Sequence, residues 1–120
     1  MRATAFLAAF GMGAWACASV QIPAERWTAY DEAARVARDL GALDVPDAKR
    51  RLDLAADEWD AARRYARAGD ERAATMLARA EADADLAVAL TREALANQQA
   101  AVAAARLRAA GPGGKEQVVP

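Results

Sequence analysis

Few residues in this 120-residue chain could do covalent chemistry. The sequence has no histidine and a single cysteine, Cys17. Zinc centres, haem ligation, thiol–disulfide exchange and the Ser-His-Asp triad all draw on these two residue types, so their usual forms lack parts here. We therefore expect no catalytic residue, no cofactor and no enzymatic activity. Function is to be sought at Cys17 and on the protein's surfaces.

One acidic cluster is a candidate cation site. Glu81, Asp83 and Asp85 alternate with alanine. Residues two apart point in different directions on a helix, and the run lacks the glycine turn of a calcium loop. The cluster is therefore predicted to be a solvated helical face, and no metal site is expected. The formal net charge of −1 gives no field for nucleic acid, so no nucleic-acid partner is expected either.

The first 16 residues have the layout of a secretory signal peptide. Arg2 is their only charged residue, and an apolar run of 14 residues from Ala3 to Ala16 leads to Cys17. A helix that spans a bilayer needs about 20 apolar residues, so this run is too short for a permanent anchor. Residues 1–16 are predicted to be a leader.

Two processing routes are compatible with this leader. The segment Ala14-Trp15-Ala16-Cys17 resembles the lipobox of bacterial lipoproteins, in which small residues precede an acylated cysteine. On this route Cys17 carries acyl chains such as palmitate and anchors the protein to a membrane. By the same resemblance, Ala18 after the cysteine fits sorting to the periplasmic side of the outer membrane. The second route is cleavage by the ordinary signal peptidase, which gives a soluble periplasmic or secreted protein. The sequence favours the lipoprotein.

Alanine dominates the composition and favours helices. It accounts for 37 residues, and only 18 large apolar side chains remain in residues 23–110. So few large side chains disfavour a deep pocket, and alanine has the highest intrinsic helix propensity. Proline and glycine residues divide the chain at Pro23, Gly41, Pro46, Gly69 and Gly111. The predicted segments are a lipidated linker at 17–22, helices at 24–40, 46–68 and 71–110, and a disordered tail at 111–120.

The predicted fold is all-α, with two possible packings. In a long antiparallel hairpin with a broken first arm, the first two helices lie end to end along the third, and Trp27 and Tyr30 cover its distal half. In a short three-helix bundle, the first helix folds back near Pro46 and the distal part of the third helix protrudes. Trp27, Tyr30, Trp59 and Tyr65 could then share one cluster. The length of the segment 41–46 favours the bundle.

The third predicted helix carries a candidate interaction surface. Residues 94–105 include no charged side chain, and Leu95, Gln98 and Val102 continue its apolar stripe. Another helix, a second copy of the chain or an unknown protein partner is expected to cover this surface. Otherwise it is the least protected part of the molecule.

Residues 62–89 resemble a known family. The Gly69-Asp70 turn between alanine-rich helices, followed by Leu77-Ala78 and an Asp-Ala, Leu-Ala pattern, is similar to the alanine-rich bacterial lipoprotein family called domain of unknown function 4398. The lipobox-like leader, Gly41-Ala42 and Pro46 also match its layout. The resemblance implies a helical periplasmic protein at the outer membrane of a Gram-negative bacterium. Some relatives carry a peptidoglycan-binding domain, for which this chain has no room, so cell-wall binding is not expected.

Two functions follow as expectations. The first is a non-catalytic, lipid-anchored helical adaptor or spacer in the periplasm. The second is a soluble secreted protein that binds a small or lipidic molecule at its tryptophan and tyrosine cluster.

Overall fold

A computed structural model describes residues 21–111, which form three α-helices. Helix α1 is Ala24–Asp39, helix α2 is Pro46–Arg67 and helix α3 is Arg72–Ala109, and a single 3-10 turn, Ala42–Asp44, lies between α1 and α2. These bounds lie within one residue of the predicted ones. No strand occurs between residues 21 and 111, which confirms the all-α class. The leader, Cys17 and the tail beyond residue 111 lie outside the described residues.

Two glycines allow the chain to reverse between helices. Gly41 has φ +94° and Gly69 has φ +68°, the left-handed conformation that side chains with a Cβ adopt at a cost. Val45 occupies the N-cap position of α2 and no side chain caps this end, while Pro46 takes the first helical position, where no N–H is needed. Near the start of α3, Asp70 accepts a hydrogen bond of 2.9 Å from the Arg72 backbone N–H.

The helices form the three-helix bundle rather than the extended hairpin. Helix α1 starts beside Glu81 of α3, where Arg26 forms an ion pair of 3.1 Å. It ends where Leu40 and Val45 lie near Leu95. It therefore runs parallel to α3, and α2 runs antiparallel to α3 and lies beside α1. Trp27 lies against Trp59 of α2 instead of covering residues 94–105, as the hairpin would require.

The core of the bundle is built largely of methyl groups. Alanines from all three helices are fully or almost fully buried, and Leu77 and Thr91 are the largest side chains with less than 2% exposure. The Thr91 hydroxyl donates a hydrogen bond of 2.7 Å to the Ala87 carbonyl, so its burial leaves no polar group unpaired. Small side chains allow the helix axes to approach closely. The buried alanines are Ala34, Ala37, Ala42, Ala48, Ala55, Ala62, Ala73, Ala80, Ala84 and Ala87.

Helix α3 is much longer than the two helices that pack on it. It has 38 residues, against 16 in α1 and 22 in α2. Thr91 is its last buried residue, and every residue from Leu95 to Ala110 is exposed. The helix therefore leaves the bundle and continues for about 22 Å, at ~1.5 Å per residue, from Leu95 to Ala109.

Candidate functional site

The predicted interaction surface lies on the part of α3 that leaves the bundle. We call residues 95–109 the protruding segment. Leu95 is 36% exposed and Val102 is 45% exposed, and Gln98 is also exposed. Because their spacing is three and four residues, the three side chains lie on one stripe of the helix. The turn between α1 and α2 borders the near end of this stripe, where Asp44 and Val45 line a concavity with Leu95 and Gln98. The concavity beside Val102 is lined by residues of α3 alone.

The stripe continues the face of α3 that forms the core. Ala84, Val88 and Thr91 are buried against α1 and α2, and Leu95, Gln98 and Val102 follow them at the same spacing. A shallow concavity beside Val102 is lined by Gln98, Gln99, Ala103 and Arg106. A partner helix on this face would pack against small side chains, as α1 and α2 do on the earlier part of α3. The geometry thus suits a partner helix better than a small molecule.

Charge is confined to the two ends of this surface. No charged side chain occurs from residue 94 to residue 105, and Arg106 and Arg108 lie in the last turn of the helix. Cations at this position interact favourably with the negative end of the helix dipole. The Arg108 side chain also donates a hydrogen bond of 3.2 Å to the Ala104 carbonyl. These interactions and the high helix propensity of alanine stabilise the protruding segment without tertiary contacts.

An aromatic cluster occupies the opposite end of the bundle. Tyr30 stacks on Trp59 with ring centroids 5.4 Å apart, and Trp27 meets Trp59 edge to face at 6.2 Å. Both arrangements are favoured by the quadrupoles of the rings. We expected Tyr65 to lie near these rings, but among the described residues the Tyr65 ring contacts none of the three. The Arg72 guanidinium stacks on its ring instead, 4.3 Å from the centroid.

An open groove lies beside this cluster. It has a volume of about 400 Å³ and is lined by Trp27, Trp59, Arg63, Ala66 and Arg67. The Arg63 guanidinium lies 4.6 Å from the centre of the Trp59 ring, within the range of a cation–π interaction. The groove therefore combines aromatic faces with two cationic groups. Sequence reasoning placed the aromatic residues together but did not identify the arginines as part of the same site.

Two acidic residues of α3 form ion pairs with arginines of the other helices. Glu81 pairs with Arg26, and Asp83 pairs with Arg51 at 3.0 Å. Burial raises the pKa of the nearby Glu58 carboxyl, and the adjacent Asp83 carboxylate raises that pKa further. Among residues 21–111 no group of three or more acidic, cysteine or histidine side chains could hold a metal ion. The predicted solvated face is therefore wrong for Glu81 and Asp83, which are half-buried and pair with arginines of other helices. Asp85 alone of the three is exposed.

No helix among the described residues is both long enough and apolar enough to cross a bilayer. The predicted lipidation site, Cys17, lies outside the described residues, so its lipidation stays a prediction.

Comparison with protein-family models, curated proteins and solved structures finds no match to this chain.

Proposed function

We propose that this protein is a non-catalytic helical adaptor, held through acyl chains on Cys17 at the periplasmic side of the outer membrane of a Gram-negative bacterium. Its bundle supports the protruding segment, which binds either a second copy of the chain or another protein. The resemblance of the leader to a lipobox supports the anchoring. The observation that carries the adaptor role is the uncovered continuation of the core-forming face of α3 through Leu95, Gln98 and Val102.

This face has features expected of a helix-binding surface. A partner helix would bury Leu95 and Val102 together with surrounding alanine methyl groups, and full burial of one such side chain stabilises a complex by about 1.5–3 kcal/mol. The absence of charge between residues 94 and 105 means that binding would desolvate no ionised group there. A helix in the protruding segment also exists before binding, so its ordering adds little entropic cost.

A matched pair of substitutions tests the surface. Val102→Glu places a charge on the stripe, whereas Ala100→Glu places the same charge on the opposite, exposed side of the helix. We expect Val102→Glu to weaken self-association, or capture of a partner by in-cell crosslinking from α3, by at least about tenfold, or ~1.4 kcal/mol. Ala100→Glu should have little effect. Equal behaviour of the wild type and both variants in sedimentation and crosslinking would remove this surface from the proposal.

The anchoring has its own test. Mass spectrometry of the mature protein from cells should find an N-terminal Cys17 that carries diacylglycerol. A mature chain that starts at Ala18 or Ser19 would instead support the soluble form. A Cys17→Ala variant that still fractionates with membranes and is still labelled with palmitate would contradict the lipid anchor.

A second candidate function is a soluble helical binding protein. The open groove beside Trp27 and Trp59 favours it, since aromatic faces and arginines could hold a small amphipathic anion. This candidate requires a mature chain without acyl groups, so the same mass measurement separates the two functions.

A further inference from the structure

The end of the bundle opposite the protruding segment combines tryptophan with unpaired arginine. Trp27 and Trp59 line the open groove together with Arg63 and Arg67, and Arg64 lies beside the latter two in an adjoining concavity. Tryptophan rings prefer the boundary between water and lipid acyl chains, where the ring contacts apolar groups and the indole N–H stays near polar ones. Arginine binds phosphate through several N–H donors in a fixed plane.

The charges at this end favour an anion. Within residues 21–111, no carboxylate lies within 4 Å of the guanidinium groups of Arg63, Arg64 or Arg67. Asp60 is the one acidic residue that lines either concavity. The neighbouring Arg72 is different, because Asp70 neutralises it through an ion pair of 2.6 Å. Three arginines against one aspartate leave a local positive charge beside the half-buried rings of Trp27 and Trp59.

We propose that this end of the bundle docks on an anionic lipid surface, with the Trp27 side of the groove at the level of the headgroups and Arg63, Arg64 and Arg67 on lipid phosphates. An open groove suits a surface of many headgroups better than one enclosed ligand. The docking adds a second, electrostatic attachment to the lipid anchor, and this attachment fixes which end of the bundle faces the membrane.

The position of the N-terminus agrees with this orientation, a point that rests on the proposed lipidation of Cys17. Helix α1 begins at Ala24, and Trp27 lies in its first turn. The seven residue steps from Cys17 to Ala24 can span at most about 25 Å, so an acylated Cys17 keeps the Trp27 end close to the bilayer. The protruding segment lies at the other end of α3 and would point away from the membrane.

The test uses a chain without acyl groups. Residues 17–120 with Cys17→Ser retain every buried side chain of the bundle, since these lie between Tyr30 and Thr91. Trp27 and Trp59 are the only tryptophans in this chain. We expect it to sediment with vesicles that contain phosphatidylglycerol but only weakly with vesicles of phosphatidylcholine. Brominated acyl chains in the phosphatidylglycerol vesicles should quench its tryptophan fluorescence.

Two double variants with the same loss of charge locate the contact. Arg63→Gln with Arg67→Gln should lower partition into phosphatidylglycerol vesicles about fivefold for each arginine removed. Arg92→Gln with Arg108→Gln, on the part of α3 away from the groove, should leave it unchanged. All four arginines are exposed, so both variants should keep the helical circular dichroism of the wild type.

Three outcomes would overturn the docking surface. They are equal affinity for the two kinds of vesicle, equal loss of partition in the two double variants, and saturable binding of monomeric short-chain phosphatidylglycerol without vesicle binding. Because this chain is not acylated, each of these results is independent of the mass measurement on Cys17. Failure of the docking proposal can thus be distinguished from failure of the lipid anchor.

Discussion

Helix α3 consists of two regions that share an alanine-rich sequence and differ in their surroundings. From Ala73 to Thr91 it forms the centre of the bundle and contributes seven buried residues. From Leu95 onward the helix continues without a break, yet every side chain is exposed. Helix formation is therefore not evidence of packing in this protein. Alanine supplies local stability to both regions, whereas burial depends on whether another helix reaches them.

Proline substitution should give the largest difference between the two regions. Ala84→Pro removes a backbone hydrogen bond inside the bundle and introduces a ring at a fully buried position, so we expect a loss of at least about 3 kcal/mol. Ala101→Pro should disrupt only the helix around and beyond it and leave the free energy of bundle unfolding within about 0.5 kcal/mol. Urea unfolding followed by circular dichroism measures both. A similar loss of stability in both variants would mean that the protruding segment belongs to the cooperative unit.

Truncation of leucine should show the same contrast with a smaller effect. Leu77 is fully buried, so Leu77→Ala should destabilise the bundle by about 2–5 kcal/mol. Leu107 is 74% exposed, and Leu107→Ala should change stability by less than about 0.5 kcal/mol. Thermal unfolding of the monomeric protein provides the comparison. A large effect at Leu107 would show that this end of α3 is covered in solution.

The glycines at the two ends of α3 provide a third comparison. Gly69→Ala places a Cβ at φ +68° in the turn between α2 and α3, which should cost about 1–2 kcal/mol of bundle stability. At Gly111 a Cβ would lie 2.9 Å from the Arg108 carbonyl oxygen, but fraying of the last turn can relieve this contact. We therefore expect no change in the bundle's unfolding midpoint for Gly111→Ala. A shift equal to that of Gly69→Ala would contradict this.

The smallest predicted effect depends on pH. The folded-state pKa of Glu58 is raised by burial and by Asp83, so protonation of Glu58 stabilises the bundle. This stabilisation is complete below the ordinary pKa of about 4.5 and is lost as pH rises through the higher folded-state pKa. Glu58→Gln should remove that loss and raise stability at neutral pH by up to about 0.5 kcal/mol.

Glu93→Gln is the control for this prediction. Glu93 is exposed at the point where α3 leaves the bundle, so its substitution should not change the pH profile. Melting temperatures of both variants between pH 4 and 7 test the expectation. A wild-type profile that rises with pH relative to Glu58→Gln would have the opposite sign and contradict it.

Local signals predicted the helices well and the contacts between them less well. Proline and glycine located the helix ends to within one residue, because backbone preference acts over a few residues. The buried residues of α1, Tyr30, Ala34 and Ala37, are four and three residues apart, which is also a local pattern. The ion-pair partner of Asp83 could not be predicted from local signals, because Arg79 and Arg51 are both plausible partners from charge alone. Its choice depends on where α2 lies beside α3.

The candidate surfaces also divide into one that the sequence predicts and one that depends on contacts between helices. The uncharged run after residue 94 was visible in the sequence, and so was its stripe at Leu95, Gln98 and Val102. The groove beside Trp27 was not, because it joins the start of α1 to the end of α2. Residues from such distant parts of the chain meet only after α1 has folded back.

The sequence by itself therefore determined three alanine-rich helices, their ends and the faces on which they could pack. These properties follow from backbone conformations and side-chain spacing within each helix. Only the tertiary structure decided that α1 folds back to form a bundle, that Arg51 pairs with Asp83 and that α3 extends beyond its neighbours. The physical reason is that these properties depend on the relative positions of the helices. Alanine-rich faces have similar shapes, so the local sequence does not determine which of them pack together. Larger side chains make that choice here, since Trp27 and Tyr30 pack against Trp59 and bring the start of α1 to α2.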